Sequence, residues 1–390
     1  MRILFTFAGG TGHFNPLVPI ARAAETAGHA VAFAGQAVMV ETVEAAGFTA
    51  YDTGGDTFGA RERMPLVATD IEREELALRE GYARRVAGER CPRLIEACQD
   101  FRADLVVCDE ADFGAVVAAE SLGLPHATVL VIAAGSLIRP GLVGEPLNEL
   151  RARHGLPPDP EMAMLGRHLV LSPFPPSYRD PDFPLPPTAH SLTLDPVRPT
   201  AAPDRTPTLT LDPVEPTAVT DGTPTLYFTL GTVFNTESGD LFHRVLTGLR
   251  ELPLNVVMTV GPHIDPAEFG PQPHSVRIEQ YVPQATLLPR CTAVVSHGGS
   301  GSVLGALAHG LPMVLLPMGA DQPHNAERCA DLGVAKVLDA LEATPAEIAD
   351  ATQEVLQDKG YREAAVRMRD EIATLPDAGH AVRLLEALVQ

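Results

Sequence analysis

The fold class of this chain is decided by residues 291–302, Cys-Thr-Ala-Val-Val-Ser-His-Gly-Gly-Ser-Gly-Ser. The apolar first half predicts a buried strand, and the glycines predict a turn into a helix that begins near Ser302. Amides at a helix N-terminus, beside glycines that let a ligand approach the backbone, favour binding of a phosphate group. A strand, a glycine-rich turn and a helix in this order are typical of a doubly wound α/β sheet with a phosphate site.

A second polar segment follows the next apolar strand, Met313–Leu316. It reads Gly319-Ala320-Asp321-Gln322-Pro323-His324-Asn325 and delivers one carboxylate and two amides to a neighbouring strand end. Such groups bind the hydroxyls of a sugar. A diphosphate site beside a sugar site predicts a nucleotide-sugar site.

Two series of short apolar segments alternate with helical segments along the chain. The first series predicts strands at Arg2–Phe7, Ala30–Phe33, Asp104–Cys108 and Ala127–Ile132. The second predicts strands at 225–230, 255–260, 276–278, 293–296, 313–316 and 335–338. Apolar strands without polar alternation, connected by helices, indicate parallel sheets covered on both faces. We therefore predict an α/β protein with two Rossmann-like, doubly wound domains that face each other across a cleft.

Proline density separates the two series. The chain is rich in proline from Pro157 to Pro224, which disfavours helices and central strands, and a short duplication relates 191–200 to 208–217. Residues 53–90 are charged and irregular, and we expect loops or helices above the strand ends there. The predicted division is a first domain over 1–180, a linker over 181–222, a second domain over 223–375 and a C-terminal helix over 376–390 that packs back on the first domain.

Composition excludes several classes of function. The chain has 390 residues, 45% of them hydrophobic, and a formal charge of -21, which disfavours partners such as nucleic acid and anionic membranes. The five cysteines form no C-x-x-C pair and show no zinc-ligand spacing with the histidines, so reduced thiols are expected. Without an apolar leader or a run long enough to span a membrane, we expect a cytoplasmic protein with no membrane insertion.

The loop after the first strand, Gly9-Gly10-Thr11-Gly12-His13-Phe14-Asn15-Pro16, offers a candidate base. It does not fit a dinucleotide fingerprint, because Asn15 stands at the position of the third glycine. His13 lies at a strand-to-helix turn that faces the cleft, where an imidazole can take a proton near neutral pH. Asp109, at the end of another strand of the same sheet, is the preferred partner to orient that imidazole, and Glu110 and Asp112 compete with it.

Two further segments are candidates for donor binding. Leu230-Gly231-Thr232 follows the first strand of the second series and is either a plain turn or a second diphosphate contact through Thr232. Tyr281-Val282-Pro283-Gln284 offers an aromatic face for a nucleobase and backbone groups for its edge.

Taken together, these motifs resemble the donor signature of the family 1 glycosyltransferases, and within them the bacterial natural-product enzymes of the antibiotic and macrolide type. The resemblance spans the chain and includes Gly12-His13-Phe14-Asn15-Pro16, which looks like the catalytic loop, and Ala364 to Leu388, which looks like the final helices. It implies a GT-B fold and an inverting transfer without metal or cofactor, with His13 as the base, Asp109 as its orienter and the acceptor bound by the first domain. The donor-binding residues implied by the same motifs are Gly12, Thr232, Tyr281, Val282, Gln284, His297, Gly299, Ser300, Gly301, Ser302, Asp321 and Gln322.

The expected partners are a TDP- or UDP-sugar donor and an apolar small-molecule acceptor, with a possible homodimer. Plant members usually carry tryptophan at the position of Tyr281, so base stacking is kept here with a smaller ring. They place a ribose-binding glutamate at the position of Gly305, and its absence here favours a TDP-sugar, whose deoxyribose lacks one hydroxyl. Two alternatives remain at this stage. One is a GT-B nucleotide-sugar epimerase, and the other is a catalytically silent protein that activates a true transferase.

Overall fold

The computed structural model describes residues 1–57, 63–194 and 222–389. Two parallel sheets, one in each half of the chain, carry the architecture. Most of the predicted linker and all of the second copy of the duplicated segment lie outside the described residues.

The first sheet has seven parallel strands in the order β3-β2-β1-β4-β5-β6-β7. The strands are β1 Arg2–Thr6, β2 Ala30–Gly35, β3 Thr49–Asp52, β4 Leu105–Asp109, β5 His126–Val129, β6 Leu169–Ser172 and β7 Ala189–Ser191. The chain reverses its direction of travel across the sheet between β1 and β4, and this switch point is where such folds place their ligands. Both His13, after β1, and Asp109, at the end of β4, lie at that point.

Helices cover both faces of the first sheet. They are α1 Thr11–Phe14, α2 Val18–Thr26, α3 Val40–Ala45, α4 Ile71–Leu76, α5 Ala87–Phe101, α6 Phe113–Ser121 and α7 Pro140–Arg153. A π-helical stretch, Ala77–Val86, joins α4 to α5 without a break. The charged segment 53–90, where we expected loops or helices, therefore ends in one long continuous helix, because its apolar residues Leu78, Ala83 and Val86 bury one face against the sheet layer.

The second sheet has six parallel strands in the order β10-β9-β8-β11-β12-β13. The strands are β8 Thr225–Thr229, β9 Asn255–Thr259, β10 Val276–Glu279, β11 Ala293–Ser296, β12 Met313–Leu315 and β13 Ala335–Val337. The helices are α8 Leu241–Arg250, α9 Gln284–Leu287, α10 Ser300–Ala308, α11 Gln322–Asp331, α12 Pro345–Gln357, α13 Lys359–Ala373 and α14 Ala378–Ala387. All six strands predicted in this half are present, each within two residues of its expected bounds, and the predicted fold of two Rossmann-like domains is confirmed.

The boundary regions differ from the predicted division in one respect. Strand β7 lies inside the range 181–222 that we interpreted as linker, and it pairs with β6 as the edge of the first sheet. A strand this short at a sheet edge tolerates the surrounding prolines, which is why proline density obscured it. At the other end of the chain, α14 contributes Ala381, Val382 and Leu385 to the apolar core beneath the first sheet, and His29 Nε2 lies 3.0 Å from Glu386 Oε1.

An apolar junction joins the halves beside the cleft. Phe174 and Tyr178 from the first half pack into the same buried cluster as Val303 and Leu307 of α10. The Tyr178 hydroxyl also donates to the Asn325 carbonyl at 3.2 Å. The carboxyl ends of the two sheets are therefore held in a defined relation, and the site lies between them.

Candidate active site

His13 and Asp109 form a pair at the switch point of the first sheet. His13 Nδ1 lies 3.4 Å from Asp109 Oδ2, an ion-pair distance without the alignment of a hydrogen bond. Loose contacts of this kind are common in enzymes before the substrate tightens them. The Asp109 side chain is fully buried, whereas a quarter of the His13 side chain stays exposed to the cleft. The carboxylate thus faces one ring nitrogen and leaves Nε2 as the one available to a substrate.

Backbone amides fix the Asp109 carboxylate. Its Oδ2 accepts from Ala8 N at 2.8 Å, and its Oδ1 accepts from Ala111 N at 2.6 Å and from Asp112 N at 3.1 Å. Three amide donors hold the carboxylate in one orientation. These bonds therefore orient the Asp109 carboxylate toward His13.

The two competing carboxylates have other partners. Asp112 forms a buried ion pair with Arg90, at 2.7 Å from Oδ2 to Nη2. Glu110 turns to the other side of the strand end, where its Oε1 accepts from the amides of Val131 and Ile132. Burial raises the pKa of Glu110 to about 7 against the lowering effect of those amides and of Arg179. Only Asp109 of the three contacts His13.

The pKa of His13 is raised above its ordinary value. Burial lowers the pKa, but the charge of Asp109 and, more weakly, those of Asp321 and Glu110 outweigh it. Because the folded-state pKa lies above the unfolded one, the stabilisation from this pair is complete below pH 6.5 and is lost as the pH rises through the folded-state value. A base must be neutral to act, so the pair can accept a proton only above that same value.

The position of the His13 ring requires a glycine at residue 9. A Cβ atom on Gly9 would lie 2.2 Å from His13 Cδ2, so the ring can occupy its place only because residue 9 has no side chain. On its other side the ring stacks on Tyr82 of the π-helical stretch, with centroids 6.5 Å apart and planes at 21°. Burial and the charge of Asp109 raise the pKa of Tyr82 to about 12, so this phenol stays neutral. Nothing in the local sequence around Tyr82 signalled this contact, because it depends on how the long helix lies over the sheet.

His297 lies between two glycines of the second domain. Cβ atoms on Gly231 and Gly299 would lie 2.7 Å and 2.6 Å from its Nε2. The ring is buried, and burial lowers its pKa to about 4, so it is neutral near pH 7. Its Nδ1 has no hydrogen-bond partner among the described residues. A neutral imidazole with an uncommitted nitrogen can donate to a phosphate oxygen without carrying a buried charge.

Helix α10 begins at the glycine-rich turn, as its sequence predicts. Gly299 is the N-cap, and no side chain caps the helix, which leaves the first amides for a ligand. A Cβ atom on Gly301 would meet nothing within 4 Å, so this end of the helix faces open space. Ser302, the residue after Gly301, is half-buried. Ser300 differs, because its hydroxyl is buried and already bonded inside the protein, to Asp321 Oδ2 at 2.6 Å.

Asp321 stands directly before α11, after a residue with a left-handed backbone. Ala320 has φ of 52°, a conformation that costs a non-glycine residue about 1–2 kcal/mol and is often kept at functional sites. Burial raises the pKa of Asp321, while hydrogen bonds from Ser300 and Asn325 lower it. Gln322 turns inward, and its Oε1 accepts from Met318 N at 2.8 Å and Gly319 N at 3.3 Å. Of its side chain, only the amide nitrogen remains to donate to a ligand.

The nucleobase candidates lie beyond β10. Tyr281 is 63% exposed and makes no ring contact with another described residue, whereas Val282 is buried. Gln284 begins α9, and a Cβ atom on Gly305 would lie 3.0 Å from its Oε1. Gln284 therefore lies close to residue 305, and a side chain at that position would require the Gln284 amide to shift slightly.

A contact between two threonines spans the cleft near the predicted diphosphate site. Thr11 Oγ1 and Thr232 Oγ1 are 3.3 Å apart, one from each domain. Gly12, next to Thr11, is exposed, and a Cβ atom on it would meet nothing within 4 Å. Sequence reasoning selected Thr232 and Gly12 but missed Thr11, since only the facing of the two domains gives it a partner.

A strap from the first domain also crosses to the second. Met64 N donates to Thr236 O at 2.8 Å, Arg63 pairs with Glu268 at 2.7 Å, and Leu66 packs against the second core. Four large apolar side chains between residues 64 and 76 are exposed on the first domain: Met64, Val67, Ile71 and Leu76.

Metal-ligand clusters and membrane-spanning helices are both absent from the described part of the chain. No three histidine, cysteine, aspartate or glutamate side chains among residues 1–57, 63–194 and 222–389 converge to hold a metal ion. Over the same ranges, no helix combines the length and the apolar character needed to cross a bilayer. The five cysteines are free and buried.

Comparison with known proteins gives a consistent result. Residues 243–388 match the family described as "Erythromycin biosynthesis protein CIII-like, C-terminal domain". The chain is 29% identical to 4'-demethylrebeccamycin synthase of Lentzea aerocolonigenes, over 100% of this chain and 99% of that one. It is 28% identical to erythronolide mycarosyltransferase of Saccharopolyspora erythraea, again over 100% and 99%. The structure of spinosyn rhamnosyltransferase SpnG complexed with thymidine diphosphate superimposes with a TM-score of 0.80 at 24% identity, over 99% of this chain and 100% of that one.

Proposed function

We propose that this chain, which has the GT-B fold and is similar over its whole length to glycosyltransferases of antibiotic biosynthesis, transfers a sugar from a TDP- or UDP-sugar to a hydroxyl of an apolar small molecule, with inversion and without a metal ion. The observation that carries the proposal is the close approach of the two domains at the site, where Thr11 Oγ1 lies 3.3 Å from Thr232 Oγ1 and the amide of Ala133 donates to Ser300, which is bonded to Asp321. In keeping with this, the charge of the Asp321 carboxylate contributes to raising the pKa of the His13 imidazole. A base and a sugar-binding carboxylate therefore share one cleft.

In the proposed reaction, His13 Nε2 takes the proton of the acceptor hydroxyl as its oxygen attacks the anomeric carbon. Asp109 stabilises the imidazolium that forms, through the contact at 3.4 Å. The carbon–oxygen bond to the diphosphate breaks on the opposite face, and a single displacement inverts the configuration. Met64, Val67 and Ile71 support an apolar acceptor, since these apolar side chains are exposed on the first domain.

The leaving diphosphate is stabilised by neutral groups and a helix dipole. The uncapped start of α10, the hydroxyls of Ser302 and Thr232, and neutral His297 supply donors, and Gly12 and Gly301 leave room for the phosphates. Preorganised donors of this kind replace a divalent cation in stabilising the developing charge. Asp321 and the Gln322 amide nitrogen are the groups proposed to bind the sugar hydroxyls.

The nucleobase of the sugar donor is proposed to be thymine, attached to a deoxyribose. Gly305 offers no carboxylate to a ribose 2'-hydroxyl. The thymidine diphosphate complex of the structurally similar SpnG supports the same choice. Tyr281 then provides the stacking face.

The direct test is a transfer assay with purified protein. TDP- and UDP-sugars are offered with phenolic and macrolide acceptors, and products are identified by mass and by the NMR coupling of the anomeric proton. We expect transfer from a TDP-sugar with inversion. Retention would exclude single displacement. Conversion of the nucleotide-sugar without an acceptor would indicate an epimerase, and binding of TDP with no turnover on any donor would indicate a silent partner.

We predict full transfer activity in excess EDTA. Among the residues proposed to bind the donor, only Asp321 carries a carboxylate, and it is bonded to Ser300 and Asn325. The amides, hydroxyls and helix dipole proposed at the diphosphate can stabilise its developing charge without a cation. The measurement is the initial rate with and without EDTA, and with Mg²⁺ added back as the matched control. A rate that depends on Mg²⁺ or Mn²⁺ would contradict the proposed donor site.

We predict that Tyr281→Ala weakens TDP binding by roughly tenfold, because stacking on an aromatic ring contributes about 1–3 kcal/mol per base. Tyr281→Phe keeps the ring and serves as the matched control, with little change expected. Titration calorimetry with TDP measures both. Equal affinities for the alanine and phenylalanine variants would remove Tyr281 from the base site.

A further inference from the structure

The Ser300 hydroxyl makes three hydrogen bonds, two within the second domain and one to the first. It donates to Asp321 Oδ2 at 2.6 Å and accepts from the amide of Ala133, in the first domain, at 2.9 Å. It also accepts from Asn325 Nδ2 at 3.1 Å. This hydroxyl is buried and fully bonded, so its proposed use is not contact with a phosphate.

Asn325 repeats the arrangement one helical turn after Asp321. Its Nδ2 donates to Asp321 Oδ2 at 2.7 Å and to the Gly298 carbonyl at 3.0 Å. Its Oδ1 accepts from the amide of Ala134, in the first domain, at 3.2 Å. Two side chains of the second domain thus bind the same carboxylate oxygen and two consecutive amides of the opposite domain.

The first-domain end of this connection starts beside the proposed base pair. Glu110, the residue after Asp109, accepts from the amides of Val131 and Ile132, directly before Ala133. A continuous set of hydrogen bonds therefore runs from the strand end that holds Asp109, through 131–134, to Asp321. Contiguous bonded groups of this kind fix two sites relative to each other.

We infer that Ser300 and Asn325 are positioning residues that set the Asp321 carboxylate against the first domain, so that the anomeric carbon faces the oxygen activated by His13. The inference rests on the proposed function, because it assumes that Asp321 binds the sugar. Neither side chain touches the reacting atoms. Both act through Asp321 and through the amides of Ala133 and Ala134.

The test is Ser300→Ala in the full-length protein. We expect kcat for transfer to fall about tenfold or more, the scale of losing a hydrogen bond to a charged group, while the Kd for TDP stays within about twofold of the wild type. Donor hydrolysis should rise relative to transfer, because a displaced sugar reacts more readily with water than with the acceptor. Ser300→Thr keeps the hydroxyl and should restore most of the transfer.

Ser121→Ala is the matched control. Ser121 donates only to its own helix, at Ala118 O, away from the cleft, and its loss should leave the ratio of transfer to hydrolysis unchanged. A Ser300→Ala protein with wild-type kcat and ratio would overturn the inference. So would a loss of TDP affinity as large as the loss of transfer, since the hydroxyl would then act on the phosphates.

A double-mutant cycle separates this inference from the proposed function. In the Asp321→Asn background, Ser300→Ala should cost much less than it does alone, because the two changes remove one interaction. Losses that multiply would refute the coupling. If Asp321→Asn by itself leaves transfer unchanged, the sugar-binding role fails instead. Asn325→Ala gives the same expected pattern and carries the test if Ser300→Ala does not fold.

Discussion

We expect His13→Ala to lower kcat by roughly a hundredfold or more, the usual scale for removing a general base. The expected loss follows from geometry, because His13 is the imidazole that pairs with Asp109 and keeps part of its surface open to the cleft. The affinity for TDP should barely change, since the proposed phosphate contacts come from α10 and its neighbours. Steady-state kinetics with an aliphatic alcohol acceptor and calorimetry with TDP measure the two effects separately.

His154→Ala serves as the control for losing an imidazole. His154 ends α7, away from the cleft, and forms no side-chain hydrogen bond with another described residue. An acidic phenol acceptor should escape part of the loss in His13→Ala, because it needs less help to lose its proton. Near-normal turnover of the alcohol by His13→Ala would exclude His13 as the base.

We expect Asp109→Asn to lower the limiting rate by roughly a hundredfold, because the imidazolium formed in the transition state loses its stabilising charge. The variant should also be less stable, since an amide cannot accept from Ala8, Ala111 and Asp112 as the carboxylate does. Thermal unfolding must therefore accompany the kinetics. A folded variant with full activity would contradict the pairing.

The pH profile adds an independent readout for the same variant. In the wild type, burial lowers the pKa of His13, and Asp109, Asp321 and Glu110 together raise it above the ordinary value. The rate should therefore rise with pH through that raised value as the base becomes neutral. Removing the Asp109 charge lets burial prevail, so the acid limb of kcat/KM should move to lower pH even as the plateau falls. An acid limb that stays in place in Asp109→Asn would show that another group sets it. Asp100→Asn, which alters only a partner of Tyr51 on the surface, should leave both limb and plateau unchanged.

The sequence predicted the elements whose signal is local. Most strands of the second sheet are apolar runs bounded by turn residues, and all six predicted strands were found. Three strands of the first sheet, β3, β6 and β7, were missed because Thr49–Asp52, Leu169–Ser172 and Ala189–Ser191 are short and flanked by glycine or proline. Their pairing comes from neighbouring strands distant in sequence, and no local pattern encodes it.

The same division holds within the site. Residue type and position by themselves determined the glycine-rich start of α10, the pairing of a strand-end histidine with a strand-end carboxylate, and an acid at the start of α11. Only the tertiary structure decided between Asp109, Glu110 and Asp112, because all three lie within one turn and differ only in which amides and cations surround them. It also showed that the hydroxyl of Ser300, which we expected among the donor-binding residues, bonds to Asp321 in its own domain and to the amide of Ala133 in the other. Hydrogen bonds between residues far apart in the chain exist only after both sheets have packed, so their partners cannot be identified from either segment alone.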